Sequence, residues 1–195
     1  NKILRILIEK KGINHKDLLK AFNFICRDTM IKTLELLNSN SSKNELIIVN
    51  QIIINAIKKI IFIDSKLELL LRSIRAKRCI EIANNLKNIN SSELEFIIAL
   101  AEQCFLNEYV YSITEEENQS INIIINKCKH DDLNEINISI LSCYFPLYKI
   151  LDQIPSLKTF ISKNKSFNEL IQFQIKEPLQ EIELSKSIKK LGIIN

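Results

Sequence analysis

The stretch Ser92-Glu93-Leu94-Glu95-Phe96-Ile97-Ile98-Ala99-Leu100-Ala101-Glu102-Gln103-Cys104-Phe105 decides the fold class. Ser92 and Glu95 have the spacing of a capping box, in which each side chain satisfies the other residue's free backbone N–H at the start of a helix. Behind it, Leu94, Ile97, Ile98, Ala101, Cys104 and Phe105 recur at the i, i+3, i+4 spacing of one helix face. The start signal and the period agree, so the stretch reads as a helix with one apolar face.

The same signature recurs on both sides. Ser42/Glu45, Ser65/Glu68, Thr114/Glu117 and Ser166/Glu169 repeat the box, each ahead of an apolar run. Glu115, Glu116 and Glu117 place negative charge at the positive end of a helix dipole. Leu18, Leu19, Phe22, Ile25 and Cys26 form a further stripe. Another runs through Leu67, Leu70, Leu71, Ile74, Cys79, Ile82, Ala83 and Leu86. The Ile-rich runs 46–63 and 121–125 fit a strand or a helix by period alone, and their capping boxes and length assign them to helices.

These signals predict helices near 2–11, 15–37 (with a break at Arg27-Asp28), 44–62, 66–87, 93–111, 115–128, 135–145, 147–152, 156–163, 167–176 and 179–191. Loops fall at 38–43, 87–91 and 129–134. Pro146, Pro155 and Pro178 punctuate the last third, which should hold shorter helices. No strict sequence repeat appears. The expected fold is a single all-α domain over 1–195, an irregular multi-helix bundle or short α-solenoid-like array of about ten helices without a sheet. A minor boundary is placed at 38–43.

Composition supports this and excludes several functions. Gly12 and Gly192 are the only glycines, so tight hairpins lack their usual residue. A phosphate or dinucleotide loop also needs glycines to let the backbone approach the ligand, and none is present. Ile, Asn and Lys dominate, as AT-rich codons would produce. The net charge of +4 is spread along the chain and does not single out nucleic acid. Five cysteines, odd in number and without a CxxC pair, favour buried free thiols in a reducing, cytoplasmic compartment. The most apolar stretch, 46–63, is interrupted by Asn50, Gln51, Asn55, Lys58 and Lys59, so no membrane span is expected. The absence of an initial Met suggests a piece of a longer polypeptide.

Few residues offer chemistry. Cys128, His130, Asp131 and Asp132 match no zinc spacing and read as a polar loop after a buried cysteine. Cys104 follows Gln103 but lies on the apolar stripe with no histidine in its segment, so it reads as a structural thiol. Cys79 and Cys143 read likewise. Arg72, Arg75, Lys77 and Arg78 form the densest basic cluster. They read as a solvated or salt-bridged face, or alternatively as an RNA contact, although no aromatic residues interleave for base stacking. Glu108 extends the apolar stripe of 94–105. It is expected to be a buried partner of Arg72 or Arg75, or else to contact a ligand.

One resemblance adds a function. Gln103-Cys104-Phe105-Leu106-Asn107-Glu108-Tyr109-Val110-Tyr111 resembles a motif of bacterial proteins that carry a class I S-adenosylmethionine-dependent methyltransferase domain, many with tetratricopeptide repeats. Around it, Asp64 to Arg75, the acidic turn Glu115–Glu117, the Tyr144-Phe145-Pro146-Leu147 step and Glu177-Pro178-Leu179-Gln180-Glu181 follow in similar order over 62–191. The resemblance implies a helical region ahead of a methyltransferase domain that would begin past the end of this sequence. It implies no catalytic, cofactor-binding or metal residues here, S-adenosylmethionine being held by that other domain. Arg72, Arg75, Gln103, Asn107, Glu108, Tyr109, Glu177 and Glu181 become candidate structural or interaction residues. The expected partner is the methyltransferase domain of the same chain, or another protein. Membrane and nucleic-acid partners are not expected. The alternatives are a self-standing interaction domain and a basic RNA-binding module.

Overall fold

The computed structural model describes residues 6, 7, 10, 13, 15–39, 50–86, 88–130 and 132–190. The predicted helix at 2–11, the Ser42/Glu45 box, the start of the 44–62 helix, most of the 38–43 boundary and Asp131 lie largely or wholly outside them. The described residues are all-helical, with no strand. Helices α1 (His15–Ile25), α2 (Arg27–Asn38), α3 (Gln51–Lys59), α4 (Ser65–Ala83), α5 (Ser91–Leu106), α6 (Glu115–Lys129) and α7 (Glu135–Leu141) follow in order. Two 3-10 turns, Leu147–Ile150 and Pro155–Thr159, replace the helices expected at 147–152 and 156–163. Then α8 (Lys165–Ile171) runs through a π turn (Gln172–Lys176) into α9 (Glu177–Lys190).

Helix starts depend on side chains that cap free N–H groups. The Thr114/Glu117 box forms with both of its bonds. At the other described boxes the cap stands one or two residues earlier. Asp64 accepts from the N–H groups of Lys66 and Leu67 at 3.0 and 3.1 Å. Asn90 accepts from Glu93 and Asn164 from Phe167, each at 3.0 Å. Asn and Asp cap at least as well as Ser. Four of the asparagines that read as codon bias are therefore helix caps: Asn50, Asn90, Asn134 and Asn164.

The helices alternate between two layers. In one, α2 packs on α4 and α4 on α6; in the other, α3 packs on α5 and α5 on α7 and α8. This is the short solenoid-like form of the expected fold. The inner layer centres on α5. The predicted stripe is buried apart from half-buried Phe105, but so are Phe96, Ala99, Leu100 and Gln103. A helix apolar on nearly every side belongs inside a core rather than at its edge.

The layers are stitched by a recurring contact. Lys77 of α4 donates to the carbonyls of Asn38 and Ser39 at the end of α2, at 3.1 and 3.2 Å. Lys127 of α6 donates to the Ile82 carbonyl near the end of α4 at 3.1 Å, and to the Asn85 side chain at 2.6 Å. Gln103 of α5 lies against the end of α3; with its amide oriented by those acceptors, the nitrogen donates to the carbonyls of Ile57 and Ile60 at 2.6 and 2.8 Å. Each donor stands twelve residues after the first residue of its helix: Ser65 to Lys77, Ser91 to Gln103, Glu115 to Lys127. Each of these three helices thus supplies a donor to the carbonyl end of the preceding helix in its own layer, where orphan acceptors and negative dipole charge collect. This is a structural repeat that the sequence does not display.

Helix ends usually turn on a glycine in the left-handed region. Here Asn85 (φ 55°) ends α4 and Glu108 (φ 55°) followed by Tyr109 (φ 60°) ends α5. At α5 the N–H of Tyr109 reaches the carbonyl of Cys104 at 2.8 Å, and that of Glu108 reaches Phe105 at 3.1 Å. These are the two bonds of a Schellman end. The π turn stands just before Pro178, which lacks an N–H and would clash with the carbonyl four residues back in a regular helix. Its Gln174 is fully buried, donating to the Ser142 carbonyl and accepting from the Leu147 N–H, both at 3.3 Å. That docks the C-terminal helices onto the turn containing Pro146. Beyond it, residues 180–187 of α9 are exposed.

Candidate functional site

The densest buried polar cluster joins α4, α6 and the turn after α7. The side chains of Arg75 and Glu117 are each 1% exposed, a burial that two opposite charges tolerate only when fully bonded. Glu117 Oε1 accepts from Arg75 Nη2 at 2.9 Å, from Arg75 Nε at 3.2 Å and from the Tyr144 hydroxyl at 2.8 Å. Its Oε2 accepts from the Thr114 N–H at 2.8 Å. Arg75 Nη2 also donates to the Ser112 carbonyl at 2.8 Å. The guanidinium carbon lies 4.4 Å from the Tyr144 ring centre and 5.8 Å from that of Tyr111. Burial pushes the Glu117 carboxyl up, but the Thr114 N–H, the Tyr144 hydroxyl and Arg75 outweigh it and hold it below the ordinary range.

Glu117 therefore completes a capping box at the surface end of α6 and neutralises Arg75 in the interior. Nothing here is poised for chemistry. Every bonding oxygen is occupied, and burial pushes the Tyr144 phenol well above its ordinary range. The cluster locks α4 to α6 and to the following turn.

The expected ion pair is thus corrected in its partner. Arg75 is buried and paired, but with Glu117. Glu108 is exposed, because α5 ends at Leu106 and the chain leaves helical geometry before the stripe reaches residue 108. Its carboxylate meets no partner among the described residues. Arg72 is exposed as well.

The basic cluster separates in the same way. Lys77 caps α2, and Arg78, 5% exposed, pairs with Glu81 on its own helix and with Glu93 of α5 at 3.3 Å. Only Arg72 of the four stays exposed, so these residues do not make a basic surface.

The other candidates serve structure. Gln103 is buried against the end of α3. Asn107 caps α5, its side-chain oxygen accepting from the Tyr109 N–H at 3.2 Å. Tyr109 is half-buried, edge-on to Phe105 at 6.4 Å between ring centres, with its hydroxyl enclosed and without a bonding partner. Glu177 is half-buried at the start of α9 and accepts from Gln172 at 3.5 Å, while Glu181 is exposed. Arg75 and the 103–111 motif meet where the guanidinium reaches Tyr111; Glu177 and Glu181 lie apart on α9.

Cys26, Cys79, Cys104, Cys128 and Cys143 are all buried and unbridged, as expected for Cys79, Cys104 and Cys143. Burial pushes the Cys79 thiol up to about 12 and that of Cys128 up to about 11, away from nucleophilic thiolate. Among the described residues no three His, Cys, Asp or Glu side chains come together as a metal site. Asp132 instead binds Asn134 and Asn137. No described helix is long and apolar enough to cross a membrane.

Sequence reasoning missed Glu117 as an interior anchor, since a capping box explains it without one. It also missed the Lys58–Glu102 contact at 3.3 Å between α3 and α5. A signal for the latter was present: Glu102 stands between Ala101 and Gln103 in the most apolar helix of the chain. No family model matches this chain, and no curated protein or solved structure matches it at a significant level.

Proposed function

We propose that this chain is a non-catalytic helical domain that positions an adjoining S-adenosylmethionine-dependent methyltransferase domain of the same polypeptide. The carrying observation is that the 103–111 motif is spent on architecture. Gln103 holds α3, Cys104 fills the core, Asn107 caps α5 and Tyr111 lies over Arg75. The motif on which the resemblance rests thus builds a rigid corner and leaves Glu108 and Val110 facing water, as a positioning domain needs. The methyltransferase itself rests on the sequence resemblance.

Calorimetric titration of S-adenosylmethionine into this chain should give no binding heat. The same titration into the full-length gene product should give one site. Absence of binding to the full-length product would overturn the methyltransferase reading, and specific binding to the isolated chain would overturn the non-catalytic one.

A second reading is a self-standing interaction domain. The two-layer arrangement favours it, because solenoid-like arrays present extended surfaces to other chains. Pull-down by the full-length product without any S-adenosylmethionine binding would select it. The RNA-binding reading is disfavoured by the inward use of Arg75, Lys77 and Arg78.

A further inference from the structure

We infer that the docking of α3 onto α5 is governed by a proton on Glu102: the protonated carboxyl group tightens the junction and the ionised one loosens it. Glu102 and Lys58 have side chains only 12% and 14% exposed, between α3 and α5. The ammonium pairs with Glu102 Oε1 at 3.3 Å, and no other described residue donates to that enclosed oxygen. A buried acceptor of this kind is costly when charged and cheaper when it carries a proton.

Two nearby carboxylates add to the effect of burial, and Lys58 opposes it more strongly than either. Glu95, two turns earlier on α5, and Glu169 of α8 both act against ionisation of Glu102, while Lys58 alone favours it. Glu95 also accepts from Asn164 at 2.9 Å. Lys165 approaches Glu169 only to 3.9 Å and is 91% exposed, too solvated to offset it. The charges on the other helices packed on α5 are engaged elsewhere: Arg78 of α4 with Glu81 and Glu93, and Glu135 of α7 with Ser162. Burial outweighs the opposing pull of Lys58 and, with a smaller push from Glu169 and Glu95, raises Glu102 from 4.5 to about 7.

The direction follows from linkage. With α3 docked, Glu102 binds its proton more tightly than it does once α3 is released and the group reaches water. Docking is therefore fully strengthened below about 4.5 and loses that strengthening as pH rises through about 7. The consequence reaches the end of α3, where the Gln103 bonds to Ile57 and Ile60 must break when α3 leaves.

The test uses the whole chain. Carbon-13 NMR of the Glu102 carboxyl should show a midpoint near 7. Amide hydrogen exchange of Ile53 to Ile57, corrected for the intrinsic effect of hydroxide, should show the opening constant rising on the order of a hundredfold from about pH 5 to about pH 8. In Glu102→Gln that rise should vanish. In Lys58→Met the carboxyl midpoint should move further up, because the one favouring charge is gone. An ordinary midpoint for Glu102, or the same pH dependence of exchange in wild type and Glu102→Gln, would overturn the inference.

Discussion

Replacing Glu117 by alanine should cost this fold more than any other surface-to-core change in α6. The substitution removes four accepted hydrogen bonds, from Arg75 Nη2, Arg75 Nε, Tyr144 and the Thr114 N–H. Arg75 keeps its bond to the Ser112 carbonyl but remains 1% exposed without a counter-charge. Breaking one side of a buried pair costs about 3–5 kcal/mol, and loss of a helix cap about 1 kcal/mol more. The expected total of about 4–6 kcal/mol approaches the whole stability of an ordinary domain. Arg75→Met should cost about 3–5 kcal/mol alone, since it strands Glu117 instead. The pair Arg75→Met with Glu117→Gln should cost less than the sum of its two single changes by at least about 1 kcal/mol. The assay is urea unfolding followed by circular dichroism at helical wavelengths, the chain having no tryptophan. A Glu117→Ala cost under about 1 kcal/mol, or strict additivity in the pair, would refute the claim that Glu117 is a buried anchor.

Other expectations follow from the same structure. Because the Glu117 carboxyl is held low, its contribution should be complete above about 4.5 and be lost as pH falls further; acid unfolding of Glu117→Gln should be less steep than that of the parent chain. Glu108→Gly should stabilise by about 0.5–1 kcal/mol, since only glycine takes the left-handed region without a steric cost. Glu108→Ala should stay within about 0.5 kcal/mol of neutral. Destabilisation by Glu108→Gly in the same unfolding assay would show that Glu108 has a structural partner after all. Gln103→Leu should cost about 1–3 kcal/mol by leaving the Ile57 and Ile60 carbonyls without their donor, and exchange of α3 amides should rise with it. Finally, a thiol reagent should label none of Cys79, Cys104 and Cys143 quickly in the native chain and all of them in urea; fast native labelling would contradict their burial.

The sequence by itself determined the all-helical class and most of the longer helices among the described residues. Apolar residues at helical spacing, polar caps ahead of them and a near absence of glycine are local signals, and they placed α4, α5 and α6 within a few residues of where they lie. It also indicated that the cysteines would be buried, since each stands in an apolar stretch, although Cys26 and Cys143 fall at turns rather than within helices. What it could not determine is which polar residue meets which. Arg75 lies on one helix and Glu117 forty-two positions later on another, so their pairing depends on α4 and α6 sharing a layer. The stripe through Glu108 misled for a related reason: periodicity extrapolates a helix, whereas the Schellman end at Leu106 is fixed by backbone bonds that carry no side-chain signature. The capping of the ends of α2, α3 and α4 by the helix after next is likewise invisible in one dimension. Lys77, Gln103 and Lys127 take this role only when stacking brings a neighbour's orphan carbonyls beneath them. Local free energies set where helices begin; only the packed layers decide where buried charge and unpaired carbonyls find partners.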